Sequence, residues 1–258
     1  MNNTATLRPM SLKARTRSMM KLDFYRLFHT PAFYIMLIIA AIIPAMVLAM
    51  SGANAPGAAA PSLVITNAWQ MIESTGGSAA ASSPMDFGGY ANINMVFIFA
   101  GLLMAIFISH DYSSGFVKNI FTVHSKKMDY VVSKSAVGIF SGAGMIVTYL
   151  FGTVLAGLIT GASFGVNAGG IILCLISKMF LMGVFCPLFL AVSVFFRSKL
   201  WLAIVFTFLL GMMFYPAASV ATLNSTGITM LGSLIAGVVG AAAIGAVSTL
   251  ILKKRDLA

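Results

Sequence analysis

The side chains that could do chemistry in this sequence are sparse and widely separated. Serine, histidine and acidic residues occur, but no H-E-x-x-H pair brings them to the spacing that zinc chemistry needs, and the few polar groups inside the apolar runs do not suggest an intramembrane hydrolase. His29, His110 and His124 lie far apart, with no carboxylate or cysteine at ligand spacing, so no metal is expected and all three read as membrane-edge residues. Cys174 and Cys186 share one apolar stretch; twelve helical residues put them about 18 Å apart, too far to bond to each other, and they read as packing residues. There is no G-x-x-x-x-G-K-[ST] loop, so this chain holds no nucleotide in that way. The expectation is a non-catalytic chain with no cofactor of its own.

What polar chemistry remains falls in three places. The first is a basic N-terminal stretch in which Lys13, Arg17 and Lys21 recur every four residues, beside an apolar stripe of Leu12, Thr16, Met20, Phe24 and Leu27 or Phe28. That spacing predicts a helix over 11–29 lying on the membrane surface, ended by Thr30-Pro31. The same charges would also orient the chain, and the two roles are compatible. The second is the stretch Asp111 to Phe121, followed by Ser125-Lys126-Lys127-Met128-Asp129-Tyr130 and by Lys134. Tyr112, Phe116 and Ile120 fall on one helical face, which predicts a short amphipathic helix. It would either present an aromatic knob to a cytoplasmic partner or rest on lipid, and spacing alone leaves both open. The third is Lys178, the one ionisable side chain expected well inside an apolar run, with no Asp or Glu expected inside any. A charge there is costly and marks a functional candidate, the alternative being a side chain that snorkels to the outer surface from about nine residues in.

The elements that must position these residues follow from composition. Of 258 residues 59% are apolar, only 9% are charged, and the mean hydropathy is +0.97. A soluble surface cannot be built from so few charges, so the chain is expected to be an integral membrane protein. Continuous apolar runs at about 31–50, 90–110, 135–161, 169–196, 200–219 and 230–252 are each long enough to cross the hydrocarbon core as a helix. They predict an all-α, six-span, single transmembrane domain over 1–258; the alternating segments of a barrel are absent. Fifteen of the 16 Lys and Arg fall before the first span, between the second and third, between the fourth and fifth, or after the sixth. The positive-inside rule makes that side cytoplasmic, with both ends of the chain inside a plasma membrane. The net charge of +10 then reflects topology and anionic lipid, and no nucleic-acid partner is needed. Ala53-Asn54-Ala55 imitates a signal-peptidase site, but the long basic region, the full-length span and Pro56 after the scissile bond favour an uncleaved first span.

The segment 51–89 is expected outside the cell, as substrate contact or as spacer, with Trp69 in the stretch Leu63 to Ile72 at the outer interface. Small residues at helix-packing spacing (Gly138 with Gly142, Gly157 with Gly161, and Gly232, Ala236, Gly240) predict close helix approach, and Pro44 and Pro187 predict kinks. The 18 Met and 20 Phe are packing or lipid-facing residues first.

Asp111, Gly115, Lys118 and Asn119, with the polar-basic turn and Lys134, resemble the loop between the second and third spans of type-two permeases of ATP-binding-cassette exporters. The stretch Lys21-Leu22-Asp23-Phe24-Tyr25-Arg26-Leu27-Phe28 looks like that family's elbow helix, and Lys254-Arg255-Asp256-Leu257 resembles its closing motif. The resemblance implies that two six-span subunits, alike or different, pair in the membrane, and that each docks an ATPase subunit which binds ATP and magnesium. Asp111, Tyr112, Gly115, Phe116, Lys118, Asn119 and Ile120 would form the coupling helix, and Lys13, Arg17, Lys21, Phe24 and Arg26 the elbow. The substrate would be hydrophobic or amphipathic and would move outward. The bulk of the outer structure lies between the first and second spans rather than the fifth and sixth, which resembles small bacterial permeases of antimicrobial-peptide export or immunity. The alternatives are a secondary transporter, which normally needs membrane carboxylates, and a non-transporting scaffold or sensor.

Overall fold

A computed structural model describes residues 11–52, 67–72, 92–122, 126–165, 168–197 and 199–254. Most of the expected outer segment 51–89, His124 and the closing Arg255-Asp256-Leu257 lie outside the described residues. The described chain is helical: α1 (Leu12–Phe28), α2 (Pro31–Gly52), α3 (Met95–Ser113), α4 (Phe116–Thr122), α5 (Lys127–Thr160), α6 (Ala168–Phe196), α7 (Leu200–Met213), α8 (Tyr215–Ala218) and α9 (Gly227–Lys254), with a 3-10 turn at Ala68–Met71. Five of these, α2, α3, α5, α6 and α9, are long and apolar enough to cross a membrane. In a bilayer only such internally hydrogen-bonded helices, or closed barrels, leave no backbone group unpaired.

The fifth expected span, 200–219, is shorter than its apolar run. Its helix α7 has 14 residues, about 21 Å, against the roughly 30 Å of a hydrocarbon core. Phe214 ends α7 and Pro216 follows within the next turn; Pro216 has no amide hydrogen to carry the α7 ladder onward. The third expected span is longer than its run. Helix α5 has 34 residues and begins at Lys127 rather than near 135, because the polar side chains of its first turns are buried against partners and do not interrupt it. Pro44 and Pro187 lie inside α2 and α6, which continue through them.

Helices α3, α5 and α6 form the interior, and α2 and α9 flank them. Large apolar side chains such as Tyr34, Ile38 and Met46 on α2, and Ile235, Val238 and Val239 on α9, are exposed. Contiguous apolar surface of that extent belongs in lipid. Where helices meet, glycine lets backbones approach. The faces of α6 and α9 meet at Gly183 and Gly237, where a Cβ on Gly183 would stand 2.8 Å from the Gly237 carbonyl oxygen. Gly152 on α5 abuts the Ala41 carbonyl of α2, and Gly138 and Gly142 seat Met104 and Met182. The expected stripe on α9 is displaced: Gly240 contacts Val184, but Gly232 has open space around it, and Gly237, one residue along from Ala236, makes the close approach to Phe180 and Gly183. Gly161 caps α5 at φ 71°, and a Cβ built there would meet nothing within 4 Å, so it shapes a turn rather than a helix interface.

The turn carrying Trp69 is fastened to the end of α5. The Trp69 indole donates to the Phe164 carbonyl at 3.0 Å, Asn67 donates to Gly165, and the buried Tyr149 hydroxyl donates to the Met71 carbonyl. An isolated parallel bridge joins Asn67 and Ser163.

Candidate functional site

Helix α1 presents Met19, Asp23 and Leu27, one turn apart, to the protein, and all three are buried. Its solvated face carries Lys13, Arg17 and Lys21, all exposed. Ser11 starts the helix by accepting from the Ala14 amide. Phe24 is half-buried, edge-to-face with Phe140 of α5 at 5.1 Å. Arg26 shares a face with Asp23 and turns toward Asp111 of α3.

Helix α5 answers with Tyr130, Ser133, Lys134 and Val137, the pattern of a single helical face, all buried. Helix α3 adds Asp111, with Phe107 one turn earlier. These three helices gather two buried carboxylates, the buried Lys134 and the half-buried Arg26 in one cluster. Lys134 Nζ lies 2.7 Å from Asp23 Oδ1 and 2.5 Å from Asp111 Oδ2, with no solvent exposure on any of the three. Arg26 Nη2 lies 2.6 Å from Asp111 Oδ1. The Ser133 hydroxyl donates to Asp23 Oδ2 and the Tyr130 hydroxyl to Asp111 Oδ2. Aromatic faces complete the lining: Arg26 Cζ is 3.9 Å from the Phe116 ring centroid and Lys134 Nζ is 4.0 Å from that of Phe107. Four formal charges sum to zero, and each carboxylate is met by both a cation and a hydroxyl. Charged groups are tolerated in a protein interior only under such conditions. Beside the cluster, Asp129 is buried against Arg15 at 3.4 Å and accepts from the Thr16 hydroxyl at 3.0 Å.

Two expectations are corrected by this arrangement. Buried aspartates were not anticipated, yet Asp23, Asp111 and Asp129 are all buried, at the end of the bundle where Lys and Arg collect. Their presence in a basic region was the available signal; their pairing was not visible, since Asp23 and Lys134 stand 111 residues apart. The second correction concerns the amphipathic helix. Tyr112, Phe116 and Ile120 do not share one helix, because Ser114 and Gly115, the latter at φ 71°, separate α3 from α4. Phe116 is half-buried beneath Arg26 rather than a projecting knob, and Tyr112 and Ile120 pack against the core. What α4 exposes is polar: Lys118, Asn119 and Thr122.

Lys178 belongs to neither group. It is 1% exposed and so does not snorkel out. Its Nζ lies 2.6 Å from Asn94 Oδ1 and 3.1 Å from the Ala218 carbonyl. Asn94 precedes α3 and in turn donates to the Ser219 hydroxyl, so Lys178 ties α6 to the start of α3 and to α8. Asn94 and Asp111 bracket α3, which places Lys178 at the opposite end of the bundle from the Lys134 cluster, about 26 Å away along that helix.

An all-helical bundle with lipid-facing apolar helices and a basic, polar end defines a multi-pass membrane protein. The sequence matches the family described as ABC-2 family transporter protein over residues 19–214, from within α1 to the end of α7. The chain belongs to the ABC-2 transporter family and is a membrane subunit of an ABC transporter. No curated protein and no solved structure matches it.

Proposed function

We propose that this chain is the permease subunit of an ATP-driven exporter, paired with a second permease and docked on separate ATPase subunits that bind ATP and magnesium. Family membership implies an ATP-binding-cassette partner. The observation that carries the coupling role is the ion-pair cluster of Asp23, Arg26, Asp111 and Lys134. It clamps α1 and the α3–α4 corner to the base of α5, a helix about 51 Å long. A displacement of α4 by a partner would therefore reach the membrane through a packed, charge-paired joint and not through a loose loop. Lys118 and Asn119, exposed on α4, are the residues offered to that partner. In this reading α7 with α8 is the fifth of six crossings, α1 lies along the inner surface, and both ends of the chain are cytoplasmic in a plasma membrane. The substrate is hydrophobic or amphipathic, with peptides of the antimicrobial class the first to try.

Affinity purification of the tagged chain in mild detergent tests the reading. A stoichiometric ATPase should co-purify, and Lys118→Glu with Asn119→Asp should lower its association or its transport-linked turnover severalfold while the bundle stays folded. A folded chain that purifies alone and without ATPase activity would remove the motor. A proton-coupled carrier is less well supported, because the buried carboxylates are held in ion pairs at one end of the bundle instead of along a path through it.

A further inference from the structure

At the basic end of the bundle α6, α7 and α9 enclose a cleft of about 280 Å³ lined only by apolar side chains: Ala191, Val192, Phe195, Phe196, Phe206 and Ile251. Its aromatic wall is ordered by ring contacts, with Phe196 4.7 Å from Phe206 and 5.2 Å from Phe195. Phe195 and Phe206 remain 45% and 43% exposed, so the cleft opens sideways, toward lipid, rather than into the helix core. Ala191, the smallest residue of the lining, leaves the space that a larger side chain would fill.

Two exposed lysines stand just beyond this cleft on the walls that form it. Lys199 caps α7 seven residues before Phe206, two helical turns and so on the same side, about 10 Å nearer the end of the bundle. Lys254 follows Ile251 by three residues on α9, on the same face and about 4.5 Å nearer that end. An apolar slot at acyl-chain depth, with two ammonium groups at headgroup depth, is complementary to one chemistry. We propose that the cleft seats an acyl chain of an anionic phospholipid whose phosphate rests against Lys199 and Lys254. Slot and charges select for different parts of the ligand: the slot holds a chain of any phospholipid, and the lysines favour the negative headgroup. The site is independent of the exporter reading and of which leaflet this end of the bundle occupies.

The test uses the full chain, purified in detergent, stripped of lipid and titrated with phosphatidylglycerol or with phosphatidylcholine of the same acyl chains, bound lipids being counted by native mass spectrometry. One phosphatidylglycerol should be retained at a concentration at least tenfold below that needed for phosphatidylcholine, each lysine contributing about fivefold. Lys199→Ala with Lys254→Ala should abolish the preference, weakening phosphatidylglycerol far more than phosphatidylcholine. Ala191→Trp, which fills the slot with both lysines intact, should weaken both lipids; Ile251→Trp fills it from α9 and serves if the first variant unfolds. Equal retention of the two lipids overturns the proposal. So does a phosphatidylglycerol preference that survives both filling variants, which would be surface charge alone, or one that survives loss of the two lysines.

Discussion

Lys134 shows how a single side chain can hold three helices. Its ammonium is shared between Asp23 of α1 and Asp111 of α3 and lies over the Phe107 ring, with no solvent contact. Replacing it by Met would leave two carboxylates facing one another with only Arg26 and two hydroxyls to neutralise them. The expected cost is about 3–5 kcal/mol, read as a lower thermal unfolding midpoint in detergent. Asp23→Asn combined with Lys134→Met should cost clearly less than the sum of the single changes, because the second change removes a charge that the first has already deprived of one of its two carboxylates. Additive losses would mean that the two residues act separately. Lys178 obeys the same physics with neutral acceptors, an amide oxygen and a backbone carbonyl. Lys178→Met should therefore cost less than Lys134→Met, about 1–3 kcal/mol in the same measurement.

Between helices the decisive atoms are absent ones. On α9 Gly237 lies against the Phe180 carbonyl of α6, and an added methyl group would collide with backbone, which cannot rotate away. Gly232, five residues earlier on the same helix, has nothing within 4 Å. Gly237→Ala should thus destabilise the bundle by about 1–3 kcal/mol, while Gly232→Ala should be neutral or slightly stabilising because it relieves a glycine within a helix. Equal thermal midpoints for the two variants would contradict the observed α6–α9 seam. The sequence named Gly232, Ala236 and Gly240 as a packing stripe. Spacing identified the correct helix, but spacing has no origin, and rotating α9 by one residue selects a different set.

For the whole molecule, the charge asymmetry predicts orientation. Single cysteines placed at Lys118 and Lys254, in a background with Cys174 and Cys186 replaced, should be modified in intact cells only by a membrane-permeant thiol reagent. One at Gly165, in the turn that holds Trp69, should react with an impermeant reagent added outside. The reverse pattern would invert the topology and separate the Lys134 cluster from a cytoplasmic ATPase. Family membership and the clamp at the base of α5 belong to the same scale. In the proposed mechanism that joint would carry force from a partner and must be rigid, and paired charges packed under aromatic rings give rigidity that a solvated loop lacks.

The sequence by itself determined that this is a helical membrane protein, where its long apolar helices lie and which end is basic. Those properties are local: an apolar run long enough to cross the bilayer must satisfy its own backbone there, and lysine and arginine stay with the water at its ends. The tertiary structure decided that Asp23, Arg26, Asp111 and Lys134 form one neutral cluster, that Phe116 turns under Arg26, that Gly115 divides the predicted amphipathic helix, and that Gly237 makes the seam on α9. Lipid tails and a protein core are equally apolar, so hydrophobic periodicity places a helix in the membrane without specifying its rotation or its neighbours. Only the packing of the helices against one another brings residues more than a hundred positions apart to within hydrogen-bonding distance.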